Sequence, residues 1–137
     1  MKVLIDTNIL IDFLAKRSEY FAFADKIINA CKSKQIAGFV AAHSVTNIFY
    51  ILRKDYSVSE RKGMLKHLLN IVNVAELNRN KILSALANEN IDDLEDALQV
   101  CSAEHFSVDY IITRDLKGFP NVNIPVISSE EFCKLLA

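Results

Sequence analysis

The sequence predicts an α/β fold, three layers deep (α/β/α), around a central parallel sheet of about five strands. Short apolar runs recur along the chain, and strands buried on both faces read as such continuous runs rather than as alternating patterns. Stretches with helical apolar spacing separate them. Strand–helix alternation imposes crossover connections, which carry helices onto both faces of a parallel sheet.

Each element has its own signal. Residues 2–6, with Val3-Leu4-Ile5, make a first strand. Ile9 to Leu14 and Tyr20 to Cys31 are helical, with Phe21, Ala24, Ile27, Ile28 and Cys31 on one face. Gly38 to Ala42 is a second strand. Ser44 opens a helix with Val45, Ile48, Phe49 and Leu52 inward. Ser57 or Ser59 caps the next, whose Met64, Leu65, Leu68, Leu69 and Val72 repeat at helical intervals. Val72 to Leu77 is a third strand. Lys81 to Ala87 and Leu94 to Phe106 are helical, Tyr110 to Thr113 is the fourth strand, and Ile124 to Ile127 the fifth. Ser128 to Leu136 closes the chain as a helix.

A chain of 137 residues fits one domain, residues 1–137, and buries about two-thirds of its unfolded surface. Its 51% hydrophobic and 24% charged content is that of a globular protein. No uninterrupted apolar stretch approaches the roughly 20 residues that span a bilayer. Asp6 and Asp12 interrupt the only stretch that imitates a signal peptide, so a cytoplasmic protein is expected. Cys31, Cys101 and Cys133 are odd in number, far apart and set in helical patterns, which suits small buried hydrophobes. A net charge of −1 excludes a globally basic nucleic-acid binder. The charges are nevertheless polarised: residues 1–82 carry 13 Lys and Arg against 7 Asp and Glu, and residues 83–137 carry 3 against 10. A basic rim beside an acidic pocket suits an anionic polymer handled at a metal centre.

The chemistry is carried by aspartates at element boundaries. Asp6 follows the first strand and Asp115 the fourth, and open α/β sheets bind ligands beyond the carboxyl ends of their strands. If those strands are neighbours, the two carboxylates converge, and anions held together need a proton or a cation between them. The segment Asn90-Ile91-Asp92-Asp93-Leu94-Glu95-Asp96 is the densest acidic patch. A capping box of Asp92 with Glu95 explains one or two of its acids, whereas Asp93 and Asp96 share a face at i, i+3 spacing. Asp12 reads as a solvated helix position. Mg²⁺ or Mn²⁺ takes oxygen ligands, keeps several waters and is held by few carboxylates, which leaves room for a phosphate oxygen and an attacking water. Thr7, Asn8 and Thr113 stand where they can orient the carboxylates. There is no glycine-rich phosphate loop, no G-x-S-x-G elbow and no zinc-spaced His/Cys set. His43, His67 and His105 stand singly and read as surface or locally bonded residues.

Asp6-Thr7-Asn8, Asp96-Ala97-Leu98, and Thr113-Arg114-Asp115 with Phe119 resemble the motifs of PIN domains, including VapC-type toxins, and the resemblance covers essentially the whole chain. It implies a five-stranded parallel sheet between helices and Mg²⁺- or Mn²⁺-dependent cleavage of RNA. Asp6, Asp96 and Asp115 would be metal-binding carboxylates supported by Thr113, and an antitoxin partner and a homodimer are implied. One position departs from the pattern. Where PIN domains usually carry an acid on the helix after the second strand, this chain has Asn47, in Thr46-Asn47-Ile48-Phe49-Tyr50. An amide can orient water or donate to phosphate, but it brings no charge and cannot act as a base. Asp93 or Asp12 is the expected replacement, with Asp93 counted among the metal ligands.

Two functions of different classes follow: a metal-dependent endoribonuclease, or a nucleic-acid-binding module that keeps the fold without competent chemistry. A receiver-type domain is disfavoured because Val74-Ala75-Glu76-Leu77 lacks an acceptor aspartate. Lys16, Arg17, Arg53 and Lys54, with Arg61 and Lys62, are the candidates for RNA backbone contacts.

Overall fold

The computed structural model describes residues 1–17 and 19–136. Five strands, β1 (Lys2–Ile5), β2 (Ala37–Ala41), β3 (Asn73–Ala75), β4 (Tyr110–Ile112) and β5 (Val126–Ile127), form one sheet in the order β3-β2-β1-β4-β5. Every adjacent pair is parallel. The helices are α1 (Thr7–Leu14), α2 (Phe21–Lys32), α3 (Ala42–Ile51), α4 (Val58–Leu69), α5 (Arg79–Leu86), α6 (Leu94–His105) and α7 (Ser129–Leu135), with single 3₁₀ turns at Leu52–Lys54 and Leu116–Gly118.

The period-two geometry of the strands sorts the core into two layers. Val3 and Ile5 of β1 and Ile112 of β4 face one side, where α1, α2, α3, α4 and α7 contribute Ile9, Ile27, Ile48, Leu68 and Phe132. Leu4 and Ile111 face the other, against Ala85 of α5 and Ala97, Leu98, Val100 and Ala103 of α6. The predicted three-layer architecture is the observed one. β1 is the middle strand and β4 its neighbour, so the register Ile5↔Ile112 sets the residues after each side by side. A crowded contact locks β2 against α2: a Cβ on Gly38 would lie 2.6 Å from Cys31 Sγ. Burial pushes the Cys31 thiol up to about 11, which suits packing rather than reactivity.

Several boundaries differ from expectation for identifiable reasons. β3 and β5 are shorter than the apolar runs that announced them; in the second case Pro125 has no N–H to give the ladder, although its carbonyl accepts from Ile111 N at 3.0 Å. The helix expected to open at Ser44 begins at Ala42, and Ser44 is a fully buried first-turn residue whose Oγ accepts from Thr7 Oγ1 at 2.9 Å. Ser57, not Ser59, caps α4 and forms a full capping box with Glu60. Asp93, not Asp92, caps α6, its Oδ1 accepting from Asp96 N at 3.0 Å.

Candidate active site

Asp6 sits at the N-cap position of α1 yet makes no side-chain cap bond. Its carboxylate is turned instead into the gap between β1 and β4. Asp6 is 6% exposed; Oδ1 accepts from Gln99 Nε2 at 2.8 Å and Oδ2 from Thr113 Oγ1 at 2.7 Å. Each oxygen keeps a further lone pair. Thr113 is wholly buried, and the same hydroxyl accepts from Asp115 N at 3.0 Å, so one side chain ties the carboxylate after β1 to the backbone after β4.

A crevice of about 300 Å³ opens in front of this tie, lined by Asp6, Thr7, Asn8, Asn47, Tyr50, Ile51, Glu95, Asp96, Gln99 and Asp115. A larger cleft of about 650 Å³ lies at the amino end of β1, among Met1, Lys2, Lys32 and Lys34, and gathers no carboxylate. Ligands of open α/β sheets bind at the carboxyl end, which is where the smaller crevice lies.

α6 delivers Asp96 into the crevice from its first turn. The carboxyl is raised to about 7, by burial first and then by the negative charges of Asp93, Asp6, Asp115 and Glu95. That is what uncompensated anions do to one another. Asp96 and Asp115 close over Gly118, where an added Cβ would lie 3.1 Å and 3.0 Å from their Oδ2 atoms. The crevice therefore presents Asp6, Asp96, Asp115, Thr7, Asn8 and Asn47 together, with Thr113 directly behind.

Asp12 is not a solvated residue. It is fully buried, with Arg114 Nε 2.9 Å from Oδ2, Arg114 Nη2 donating to Oδ1 at 3.2 Å and Arg17 Nη1 at 3.6 Å. Burial raises its carboxyl, against the lowering influence of Arg114 and Arg17. It serves a structural ion pair outside the crevice, so it does not replace the acid missing at Asn47. Asp93, spent on the α6 cap, is likewise not among the crevice walls. Glu95 is, although its sequence context points only to a capping box. Gln99 also escapes the sequence reading, yet a glutamine amid Ala97, Leu98 and Val100 on one helix signals a buried hydrogen-bonding duty. His43 is not a surface residue: it is half-buried beside Glu95, with both ring nitrogens shielded from solvent. Burial holds its imidazole below the ordinary value, opposed by Glu95, Asp6 and Asp93.

Of the basic candidates, Arg53 lies over the Tyr50 ring and Lys16 and Lys54 are exposed. Arg17 pairs with Asp12. Arg61 is buried, donating to Phe49 O at 2.8 Å and to Ser57 O at 3.3 Å, and is thereby removed from the set of RNA contacts.

The crevice walls offer carboxylate, amide and hydroxyl oxygens and no imidazole or thiol, the donor set of a hard divalent ion. Among the described residues, no three His, Cys, Asp or Glu side chains stand close enough to cage an ion by themselves. Such a lining could hold a hard ion only together with water or substrate oxygens, not in a closed protein cage.

Among the described residues, no helix is long and apolar enough to cross a membrane. Comparison with curated proteins gave no match. Among solved structures, the fold is similar to a toxin–antitoxin complex from Klebsiella pneumoniae, at TM-score 0.70 and 20% identity over 93% of this chain and 97% of that one. It is similar to VapBC-1 from nontypeable Haemophilus influenzae, at TM-score 0.69 and 19% identity over 95% and 99%. It is also similar to VapC20 of Mycobacterium tuberculosis, described as a Sarcin-Ricin loop cleaving toxin, at TM-score 0.63 and 11% identity over 80% and 86%. The PIN domain family model matches residues 2–117, a span that holds β1 to β4 and every wall of the crevice, and the chain therefore belongs to the PIN domain family.

Proposed function

We propose that this protein is a Mg²⁺- or Mn²⁺-dependent endoribonuclease, the toxin of a toxin–antitoxin pair, acting in the cytoplasm as a homodimer that an antitoxin holds in check. The observation that carries the reading is the convergence of Asp6, Asp96 and Asp115 on one crevice, with the Asp96 carboxyl raised by burial and by its anionic neighbours. The toxin–antitoxin assemblies and the loop-cleaving toxin among its fold neighbours support the same class of activity.

The residues divide the work. Asp6 is clamped by Gln99 and Thr113, so its oxygens keep their direction while their remaining lone pairs face the crevice. Asp115 is positioned through its backbone by the same threonine. Asp96 completes a three-sided anionic wall, and Glu95, on the same helix, supplies a fourth carboxylate. That acid offsets the charge missing at Asn47, while the Asn47 and Asn8 amides can donate to phosphate oxygens. A divalent ion that Asp6, Asp96 and Asp115 hold in part through its own waters would supply charge neutralisation for the phosphodiester and acidify a water nucleophile.

The test is incubation of the purified protein with single-stranded and structured RNA in Mn²⁺. Cleavage that is abolished by chelator and by Asp6→Asn, Asp96→Asn and Asp115→Asn is expected. Turnover unchanged in any of these variants rejects the site.

Asn47 favours a second reading, an RNA-binding module without turnover. Here a divalent ion discriminates: at 100 times its Kd, binding stabilises a fold by about 2.7 kcal/mol. No change in melting temperature at millimolar Mn²⁺ or Mg²⁺, with salt-dependent RNA binding retained, selects the module.

A further inference from the structure

We propose that Tyr50, backed by Arg53, is a stacking platform for an unpaired nucleobase of the RNA beside the crevice; this rests on the ribonuclease reading. Tyr50 lies in the last turn of α3, forms part of the crevice wall and leaves 62% of its surface exposed. Ile51, at 42%, extends the apolar floor beside it. Arg53 fixes the ring from the following 3₁₀ turn: its guanidinium carbon is 3.7 Å from the ring centroid, and Nη1 donates to Tyr50 O at 2.9 Å. The guanidinium covers one face only, and it is absent from the crevice walls to which the ring belongs.

Electrostatics says why such a platform is needed. Asp6, Glu95, Asp96 and Asp115 repel a polyanion, so the crevice cannot by itself draw an RNA strand in. Affinity has to come from its rim, and the rim offers a cation, Arg53, and a π-face. A base stacks on an aromatic ring whatever its sequence, with a contribution worth about tenfold or more in affinity. Duplex RNA keeps its bases stacked internally and presents grooves and backbone instead, so a platform of this kind selects loops, bulges and free strands.

The experiment measures binding, and so does not depend on cleavage. The full chain is titrated in chelator, at low salt, against an unpaired RNA of about 12 nucleotides carrying a single 2-aminopurine, and against the same strand in a blunt duplex. The unpaired strand should bind at least about tenfold more tightly, with quenching of the 2-aminopurine as it stacks. Tyr50→Ala should lose about tenfold in affinity together with the quench, and Tyr50→Phe should keep both. Equal affinity of Tyr50→Ala, or equal binding of the duplex, overturns the platform and leaves the ribonuclease reading intact. Failure of the unaltered chain to bind either RNA in chelator overturns the platform, since the platform acts without the ion; the ribonuclease reading is then judged separately by the Mn²⁺ cleavage assay.

Discussion

Replacing Asp96 by Asn in a metal-free buffer should stabilise the protein, and the gain should depend on pH in a defined direction. The native carboxyl is raised from 3.8 to about 7. Well below 3.8 it is protonated in both the folded and unfolded chain, and well above 7 it is ionised in both. Between those limits the folded state holds a proton that the unfolded chain has lost, so stability falls as pH rises. A tenfold change in proton affinity corresponds to about 1.36 kcal/mol, which sets an upper bound of about 4 kcal/mol. Asp96 is only partly buried, and solvent screening of its anionic neighbours reduces the figure to about 1–2 kcal/mol. An asparagine in its place carries no charge at any pH and escapes this loss. Urea unfolding in chelator should therefore give equal stabilities for the two proteins near pH 4, and an advantage of about 1–2 kcal/mol for Asp96→Asn at about pH 8, or roughly 3–6 °C in Tm for a chain of this size. Mn²⁺ at the higher pH should reverse the order, since only the unaltered protein has the full set of carboxylates. If Asp96→Asn were the less stable protein in chelator at that pH, an uncompensated anion would not be what Asp96 contributes to the fold.

Thr113→Val removes one hydroxyl that serves both Asp6 and Asp115 N in a fully buried position; a loss of about 2–4 kcal/mol is expected in chelator, and a loss under about 0.5 kcal/mol on urea unfolding would mean the tie carries no stability. Arg114→Met strands the buried Asp12 with only the more distant Arg17 and should cost about 2–4 kcal/mol, most of it recovered on the urea midpoint by adding Asp12→Asn. Gly118→Ala pushes a methyl between the Asp96 and Asp115 carboxylates; it should cost only about 1 kcal/mol in stability but weaken Mn²⁺ binding several-fold by calorimetry, and unchanged affinity would place the ion away from this pair.

What was legible in the sequence was governed by local rules. The apolar runs and helical periods announce buried strands and covering helices, and Asp6 and Asp115 announce themselves by their places just beyond Ile5 and Ile112. Their meeting needed one fact no local pattern contains, that β4 lies beside β1 and not at an edge. Asp12 shows the opposite limit. Between Ile11 and Phe13 it reads as an ordinary polar helix position, and only the arrival of Arg114, 102 residues later, converts it into a buried ion-pair member. The α6 cap falls one residue from its expected place because Asp92 and Asp93 are chemically equivalent; the backbone at Asp93 alone presents Oδ1 to the Asp96 amide.

That one-residue shift bears on the chemistry. With Asp93 as the cap, α6 starts at Leu94, and its first turn presents Glu95 and Asp96 to the crevice with Gln99 one turn on. A start one residue earlier would leave the same side chains on the helix but move the capping carboxylate away from the Asp96 amide. The cap therefore does two things: it fixes the register that aims the acids, and its own charge adds to the repulsion that raises Asp96. Asp93→Ser keeps a side-chain acceptor for the α6 amide while deleting that charge, so of the two influences only the charge is removed. The anionic wall of the crevice is then reached by two separable routes, helix register and charge, both set at an α6 start that a single aspartate caps.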